Sequence, residues 1–188
     1  MSGSTHWRAF FETPPLGKKR IDDPHECKAL HRQAGAHHLR PPHLVYRAWL
    51  EPDLLRQWLA PGGMEVARVE IDERAGGHYR IWQENSGSDM GGFECELLEL
   101  VEDQCIVFRW GFVGPERNDG PRYDSLLTIT LREASGGHTA LTLVHERLEQ
   151  LAAAMPDVAD SVELGWELVL EKLTATIGQY NQEARRDP

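Results

Sequence analysis

Cysteine is scarce in this sequence, and its positions argue against a fold built on disulfides or on thiolate metal sites. The three cysteines, Cys27, Cys95 and Cys105, are odd in number and form no C-x-x-C pair. A tight turn near 102–103 would place Cys105 opposite residue 100 or so, so a disulfide between Cys95 and Cys105 is not expected. The N-terminus has no apolar segment typical of a signal peptide. We therefore expect a protein of the reduced cytoplasm.

Long apolar runs and an excess of basic side chains are also missing. No stretch approaches the roughly 18 consecutive apolar residues that a membrane-spanning helix needs. A composition with 40% hydrophobic and 27% charged residues is typical of a soluble globular protein, and 188 residues fit a single domain. The formal net charge of -10 opposes binding to nucleic acid and to anionic lipids. We therefore expect no nucleic-acid partner and no membrane insertion.

Motifs for nucleotide, cofactor and metal binding are absent from the sequence as well. Neither G-x-G-x-x-G nor G-x-x-x-x-G-K-[ST] occurs, and Gly76-Gly77 connects two predicted strands instead of a strand and a helix. On an extended segment the adjacent His37 and His38 would point to opposite sides, and with His43 they lack the spacing of a zinc site. The sequence therefore predicts no cofactor and no metal.

The sequence does contain a series of strand patterns between two helical regions. Pro41-Pro42 precede a short helix that starts near His43, Pro52 begins a second one, and Pro61-Gly62-Gly63 end it. Because the intervening residues favour turns, the next runs predict an antiparallel meander of six strands. The predicted strands are Glu65–Asp72, Tyr79–Glu84, Phe93–Val101, Cys105–Trp110, Ser125–Leu131 and Thr139–Glu146.

A long amphipathic helix is predicted from about Ser161 to Tyr180, with Asp160 or Ser161 as its N-cap. Its apolar side chains fall in one stripe about 100° wide. The stripe comprises Val162, Trp166, Val169, Leu170, Leu173, Ile177 and Tyr180. Such a helix needs an apolar surface to cover, and the predicted sheet offers a large one.

A thinner apolar row on the far side of this helix has two interpretations. It consists of Leu164, Leu168 and Ala175. Solvent exposure of these side chains is the first interpretation, and a homodimer contact through them is the second.

The two ends of the chain lack a sustained helical or strand period. We expect residues 1–36 to form an irregular N-terminal arm, residues 37–181 to form the domain and residues 182–188 to form a disordered tail. Residues 1 to about 25 are expected to add little to stability, because they offer no periodic apolar face to bury.

Four local motifs, taken in order, resemble the START-like (SRPBCC) superfamily, in particular the branch named for the activator of Hsp90 ATPase. The motifs are Pro41–Trp49 followed by Pro52 and Trp58, Arg74–Arg80, Thr139–Glu146, and Gly165-Trp166. The resemblance spans about residues 40 to 180. It implies an α+β helix-grip fold, in which a curved antiparallel sheet wraps around the long C-terminal helix and leaves an internal cavity. Two short helices follow the first strand of that fold.

The first strand of the family lies just before the Pro-Pro step and is normally apolar and alternating. Residues 29–40 of this sequence do not show that pattern. We therefore expect a first strand that is short, irregular or at an edge of the sheet.

The resemblance implies that aromatic side chains near the helix and the sheet line the cavity. The candidate ligand-binding residues are Trp58, Phe93, Phe108, Trp110, Leu143, His145, Trp166 and Leu170. Trp49 and Trp166 also fit a purely structural role, because both lie on apolar helical stripes. His145 is either a polar group of the cavity or an anchor for the loop after the last strand. No catalytic residue is predicted.

Three functions follow from the resemblance. The first is a binding or carrier domain for a small apolar or aromatic ligand. The second is an interaction module for a chaperone partner, similar to Hsp90 ATPase activators. The first is preferred, because a lone domain lacks the additional N-terminal domain that the eukaryotic co-chaperones carry. The third is an enzyme that works in the cavity, with a reaction that the sequence does not specify.

Overall fold

A seven-stranded antiparallel sheet, in the order β1-β7-β6-β5-β4-β3-β2, carries the fold. The computed structural model describes residues 30–34 and 41–183, with the backbone alone described in 30–34 and 181–183. The strands are β1 (Leu30–Ala34), β2 (Glu65–Ile71), β3 (His78–Asn85), β4 (Ser88–Val101), β5 (Cys105–Val113), β6 (Arg122–Ala134) and β7 (His138–Glu146). The helices are α1 (Pro42–Ala48), α2 (Pro52–Trp58), α3 (Glu149–Ala154) and α4 (Pro156–Glu183).

The six strands of the predicted meander are confirmed, and consecutive strands pair as antiparallel neighbours. The main difference lies between β3 and β4, where the break expected over residues 85–92 shrinks to the two-residue turn Ser86-Gly87. Both turn residues have positive φ, 51° and 78°. Such a turn matches the twist of the flanking strands, so residues 88–92 join β4.

The inward face of the sheet is built from every second residue of β3 to β7, as the period of a strand requires. Most of this face is apolar and fully buried. Four polar side chains interrupt it, and all four are buried: Gln83, Ser125, Thr139 and His145.

Helix α4 covers this inward face with the stripe that the periodicity predicts. Val162, Trp166, Val169, Leu170, Leu173 and Ile177 are buried. Leu164 on the opposite face is 38% exposed, and Tyr180 at the end of the stripe is 49% exposed. The predicted start at Ser161 is wrong, because the helix begins at Pro156, a residue that favours the first turn of a helix. The short α3 before it was not predicted.

Strand β1 lies within the segment predicted to be an irregular arm, so five of the arm's residues belong to the sheet. It pairs antiparallel with β7 at one edge of the sheet, from Leu30 opposite His145 to Ala34 opposite Leu141. The rest of the arm, with Trp7, Cys27, His37 and His38, lies outside the described residues. So does the tail from residue 184 onward, although α4 runs to Glu183, beyond the expected boundary at 181.

The α+β helix-grip architecture is thus confirmed, with two short helices before the meander and a long helix packed on its inner face. Of the helices in the described residues, none is long and apolar enough to cross a membrane.

Candidate ligand cavity and buried polar network

A cavity of about 50 Å³ lies between α4 and the inner face of the sheet, and its wall is almost wholly apolar. The sheet contributes Phe93, Trp110 and Phe112, and α4 contributes Val162, Trp166 and Val169. Leu59 and Pro61, from the connection between α2 and β2, close one side. The cavity therefore lies where the resemblance implies a binding site.

Three of the eight candidate residues, Phe93, Trp110 and Trp166, line this cavity. Four others are buried in the surrounding core and not in the wall: Trp58, Phe108, Leu143 and Leu170. The remaining candidate, His145, is buried and hydrogen-bonded to Trp166 at the edge of the wall.

The aromatic side chains of the wall form one contiguous cluster. The ring centroid of Trp110 lies 4.5 Å from that of Phe93 and 5.5 Å from that of Trp166. Phe93 in turn lies 5.6 Å from Phe112 in an edge-to-face arrangement, which aromatic quadrupoles favour. The wall on the sheet side is therefore held by mutual aromatic contacts.

Trp58, by contrast, has a structural role. Its indole Nε1 donates a hydrogen bond of 3.0 Å to the carbonyl oxygen of Ala48. Its ring also packs against Trp49 at a centroid distance of 4.6 Å. These contacts fix α2 against α1, so the side chain is committed to the core.

His145 is the centre of a buried hydrogen-bond network that joins β5, β6, β7 and α4. Nε1 of Trp166 donates to Nδ1 of His145 over 3.0 Å, and Nε2 of His145 lies 2.7 Å from Oγ of Ser125. Ser125 Oγ donates to the carbonyl oxygen of Trp110 over 2.9 Å. Every polar side-chain atom of His145 and Ser125 thus has a hydrogen-bond partner, as buried polar groups require.

This network sets the protonation state of His145. Burial lowers the pKa of His145 to about 3, so the imidazole is neutral at pH 7. Because the indole N–H of Trp166 can only donate, Nδ1 must be the acceptor and the proton of the imidazole resides on Nε2. Nε2 therefore donates to Ser125.

The direction of these bonds determines what the pair can do chemically. A serine nucleophile needs a neighbouring base that accepts its hydroxyl proton. Here His145 donates to Ser125, and the hydroxyl proton of Ser125 points to a backbone carbonyl. The pair is thus arranged as a structural link and not as a nucleophile with its base.

Ser125 is the member of this network that sequence reasoning missed. One available signal was its place at the start of the inward row of β6, which continues with Leu127, Ile129 and Leu131. Its partner could not be identified without the β6–β7 register, which sets Leu127 opposite His145 and so brings Ser125 diagonally next to the imidazole.

The connection between α2 and β2 is held over the cavity by two side chains from other elements. Nζ of Lys172 on α4 donates to the carbonyl oxygens of Ala60 and Gly62, at 2.6 and 2.8 Å. Nε2 of Gln83 on β3 donates to the carbonyl oxygen of Leu59 at 2.8 Å. We call residues 59–63 the cavity flap.

One exposed cluster offers donor atoms that metals use. His43 at the start of α1 and the turn residues Glu102 and Asp103 can each provide one ligand atom, with these atoms within 4.8 Å of one another. In the structure, Nδ1 of His43 lies 3.0 Å from Oδ1 of Asp103. Exposed groups of this kind commonly pair without an ion, so we assign no metal to them.

The outer face of the sheet carries a polar depression near the β5–β6 connection. The Arg117 guanidinium, with a side chain only 9% exposed, pairs with Glu94. It also donates to the carbonyl oxygens of Ile81 and Phe93 and lies over the ring of Trp82 at 4.3 Å. These contacts satisfy Arg117 within the fold and fix the loop after β5.

Comparisons with known proteins agree with this architecture. The model of the family described as "Activator of Hsp90 ATPase homolog 1-like protein" matches residues 40–178. A solved protein from Chromobacterium violaceum is 30% identical with a TM-score of 0.63, and the match covers 80% of this chain and 98% of that one.

Two more distant solved structures share the fold. A protein from Nitrosomonas europaea is 18% identical with a TM-score of 0.64, and the match covers 82% of this chain and 96% of that one. A protein of unknown function from Staphylococcus aureus is 21% identical with a TM-score of 0.61, and the match covers 84% and 97%. A search of the curated proteins found no match.

Proposed function

The chain belongs to the family of Activator of Hsp90 ATPase homolog 1-like proteins, and we propose that it binds a small apolar or aromatic molecule between α4 and the sheet. The fold of this family is that of a ligand-binding or interaction domain. The observation that supports this function is the cavity, whose wall is almost wholly apolar and includes Phe93, Trp110 and Trp166. Transfer of apolar surface from water into such a site is favourable, and aromatic walls are typical of small-molecule sites.

The volume of the cavity implies that the wall moves when a ligand enters. About 50 Å³ is well below the roughly 300–1,000 Å³ of ordinary ligand pockets. The cavity flap is the part of the wall best suited to move, because its residues 60–63 belong to no helix or strand and the single side chain of Lys172 holds the carbonyl oxygens of Ala60 and Gly62. We propose that the structure is the closed form and that a ligand displaces the flap around Pro61, while Leu59 stays bonded to Gln83.

A screen of a chemically broad library by thermal shift tests this function. A ligand at 100 times its dissociation constant should stabilise the fold by about 2.7 kcal/mol. Hits should also change the tryptophan fluorescence, because Trp110 and Trp166 line the cavity. The response should be reduced in Trp166→Phe and retained in Trp82→Phe, since Trp82 lies on the outer face. A library without a single stabilising compound would contradict the proposal.

Interaction with a chaperone is the second candidate, and the small volume of the cavity favours it. A function on an exposed surface needs no internal space, and the family's description names the Hsp90 ATPase. The test is the ATPase rate of purified Hsp90 with and without this protein. A raised rate that the cavity-filling substitution Val162→Phe leaves unchanged would support a surface function.

An enzyme in the cavity was the third expectation, and we propose no reaction for it because His145 donates to Ser125.

A further inference from the structure

Gln83, a residue of the cavity wall, carries an unsatisfied buried acceptor. The side chain is 1% exposed and belongs to the cavity wall. Its Nε2 donates to the carbonyl oxygen of Leu59, so a flipped amide would set two oxygens against each other and the orientation is fixed. Its Oε1 has no hydrogen-bond partner among the residues that the structure describes.

The neighbours of Gln83 in the sheet offer its Oε1 no partner. In register it lies between Val66 on β2 and Gly91 on β4, and neither of these carries a polar side-chain atom. The inward residues that precede it on β3 are Tyr79 and Ile81. The amide serves the carbonyl oxygen of Leu59 through Nε2, but it also buries the unpaired Oε1, which is costly for a folded protein.

Trp110 supplies the opposite kind of unsatisfied group in the same wall. Its side chain is fully buried, and within residues 41–183 its indole Nε1 finds no acceptor. Two residues of the wall therefore carry an unpaired acceptor and an unpaired donor, which a ligand that moves the wall can satisfy.

Building on the proposed function, we infer that the cavity takes a small aromatic molecule with a hydroxyl group, of the phenol class, and that this hydroxyl donates a hydrogen bond to Oε1 of Gln83. A hydroxyl group both donates and accepts, so this class also provides an acceptor of the kind that Trp110 lacks. The apolar ring matches the apolar character of the remaining wall, and the flap has to move to admit it. Gln83 is then the residue that distinguishes such a ligand from a pure hydrocarbon, because a site with an unpaired buried acceptor discriminates against a molecule that cannot satisfy it.

Phenol and toluene are matched probes for this inference, because they have the same number of heavy atoms and differ by a hydroxyl in place of a methyl group. Dissociation constants are measured for both by NMR titration of the full chain. We expect phenol to bind at least about tenfold more tightly, although toluene gains more from leaving water. A factor of ten is about 1.4 kcal/mol.

Two glutamine-to-methionine substitutions test whether the preference for phenol over toluene depends on Gln83. Gln83→Met removes the acceptor in the wall and should abolish the preference for phenol; it also removes the bond to Leu59, but a looser flap would change the affinity for both probes alike. Gln57→Met makes the same change on the exposed side of α2, outside the cavity wall, and should preserve it.

The possible outcomes separate this inference from the proposed function. Toluene binding as tightly as phenol in the wild-type protein would overturn the inference and leave the proposed function intact, and this comparison does not depend on any variant folding. A preference for phenol that survives in Gln83→Met would also overturn it. Binding of neither probe would overturn the inference, and the library screen would then decide the proposed function separately.

Discussion

Trp166 on α4 donates its indole N–H to Nδ1 of His145 on β7 over 3.0 Å, and both side chains are buried. Because Trp166 also lines the cavity, the same residue that shapes the binding wall is held in place by the polar network of the sheet. The position of α4 over the sheet and the protonation state of His145 are therefore linked.

Removal of the Trp166 side chain should cost about 3–5 kcal/mol of the free energy of unfolding, the range for large aromatic side chains in cores. Trp166→Phe keeps most of the packing but leaves Nδ1 of His145 without its donor, which should cost about 1–3 kcal/mol. Urea denaturation of the two variants measures both values. A loss below about 1 kcal/mol for Trp166→Ala would show that the indole is not part of the core.

The stability of the protein should decrease in acid because of His145. Burial lowers its pKa from 6.5 to about 3 in the folded state, so between these values the unfolded chain binds a proton that the folded protein does not. The free energy of unfolding should therefore fall as the pH falls through this window, by at most about 1.4 kcal/mol per pH unit.

Chemical denaturation between pH 7 and pH 4 measures this dependence. The carboxylates add their own slope to every variant, so the comparison is between wild type and His145→Gln, which should show the shallower slope. His78→Gln, at an exposed position, is the matched control and should behave as wild type. Equal slopes for wild type and His145→Gln would contradict the assignment of a neutral buried imidazole.

Lys172→Met should loosen the cavity flap without unfolding the domain. The substitution removes two hydrogen bonds from a charged donor to the carbonyl oxygens of Ala60 and Gly62, and a bond of this type contributes about 1.5–3 kcal/mol. Hydrogen exchange of the flap amides should become at least about tenfold faster, while the strands keep their protection. Glu171→Gln at the exposed neighbouring position serves as control. Unchanged exchange in residues 59–63 would show that Lys172 does not hold the flap.

Periodicity along the chain was sufficient to predict most of this fold. The buried stripe of α4 and the six meander strands follow from periods of 3.6 and 2, which depend only on local sequence. Periodicity did not predict strand β1, because residues 30–34 show no alternation of apolar and polar side chains. These residues belong to the sheet through their pairing with β7. The start of α4 was misplaced because Val158 is the single buried residue of its first turn.

The site was less predictable because it depends on contacts between distant parts of the chain. Residue type and position were enough to propose Phe93, Trp110 and Trp166 as cavity residues. That Phe108 and Leu170 belong to the core and not to the cavity wall depends on how the side chains pack. The contact between Lys172 and Ala60 joins residues 112 positions apart, and Gln83 reaches Leu59 over 24 positions. Such contacts leave no local pattern in the sequence.

The central claim, binding in the cavity, is tested most directly by filling it. Val162 lies in the cavity wall and Leu164 lies on the exposed face of the same helix. Val162→Phe and Leu164→Phe therefore place the same new side chain inside and outside the site. The measurement is the thermal shift that screening hits and phenol produce in wild type and in both variants. We expect the shift to be lost in Val162→Phe and retained in Leu164→Phe, with both variants folded by circular dichroism. A ligand-induced shift of equal size in Val162→Phe and wild type would contradict binding in this cavity.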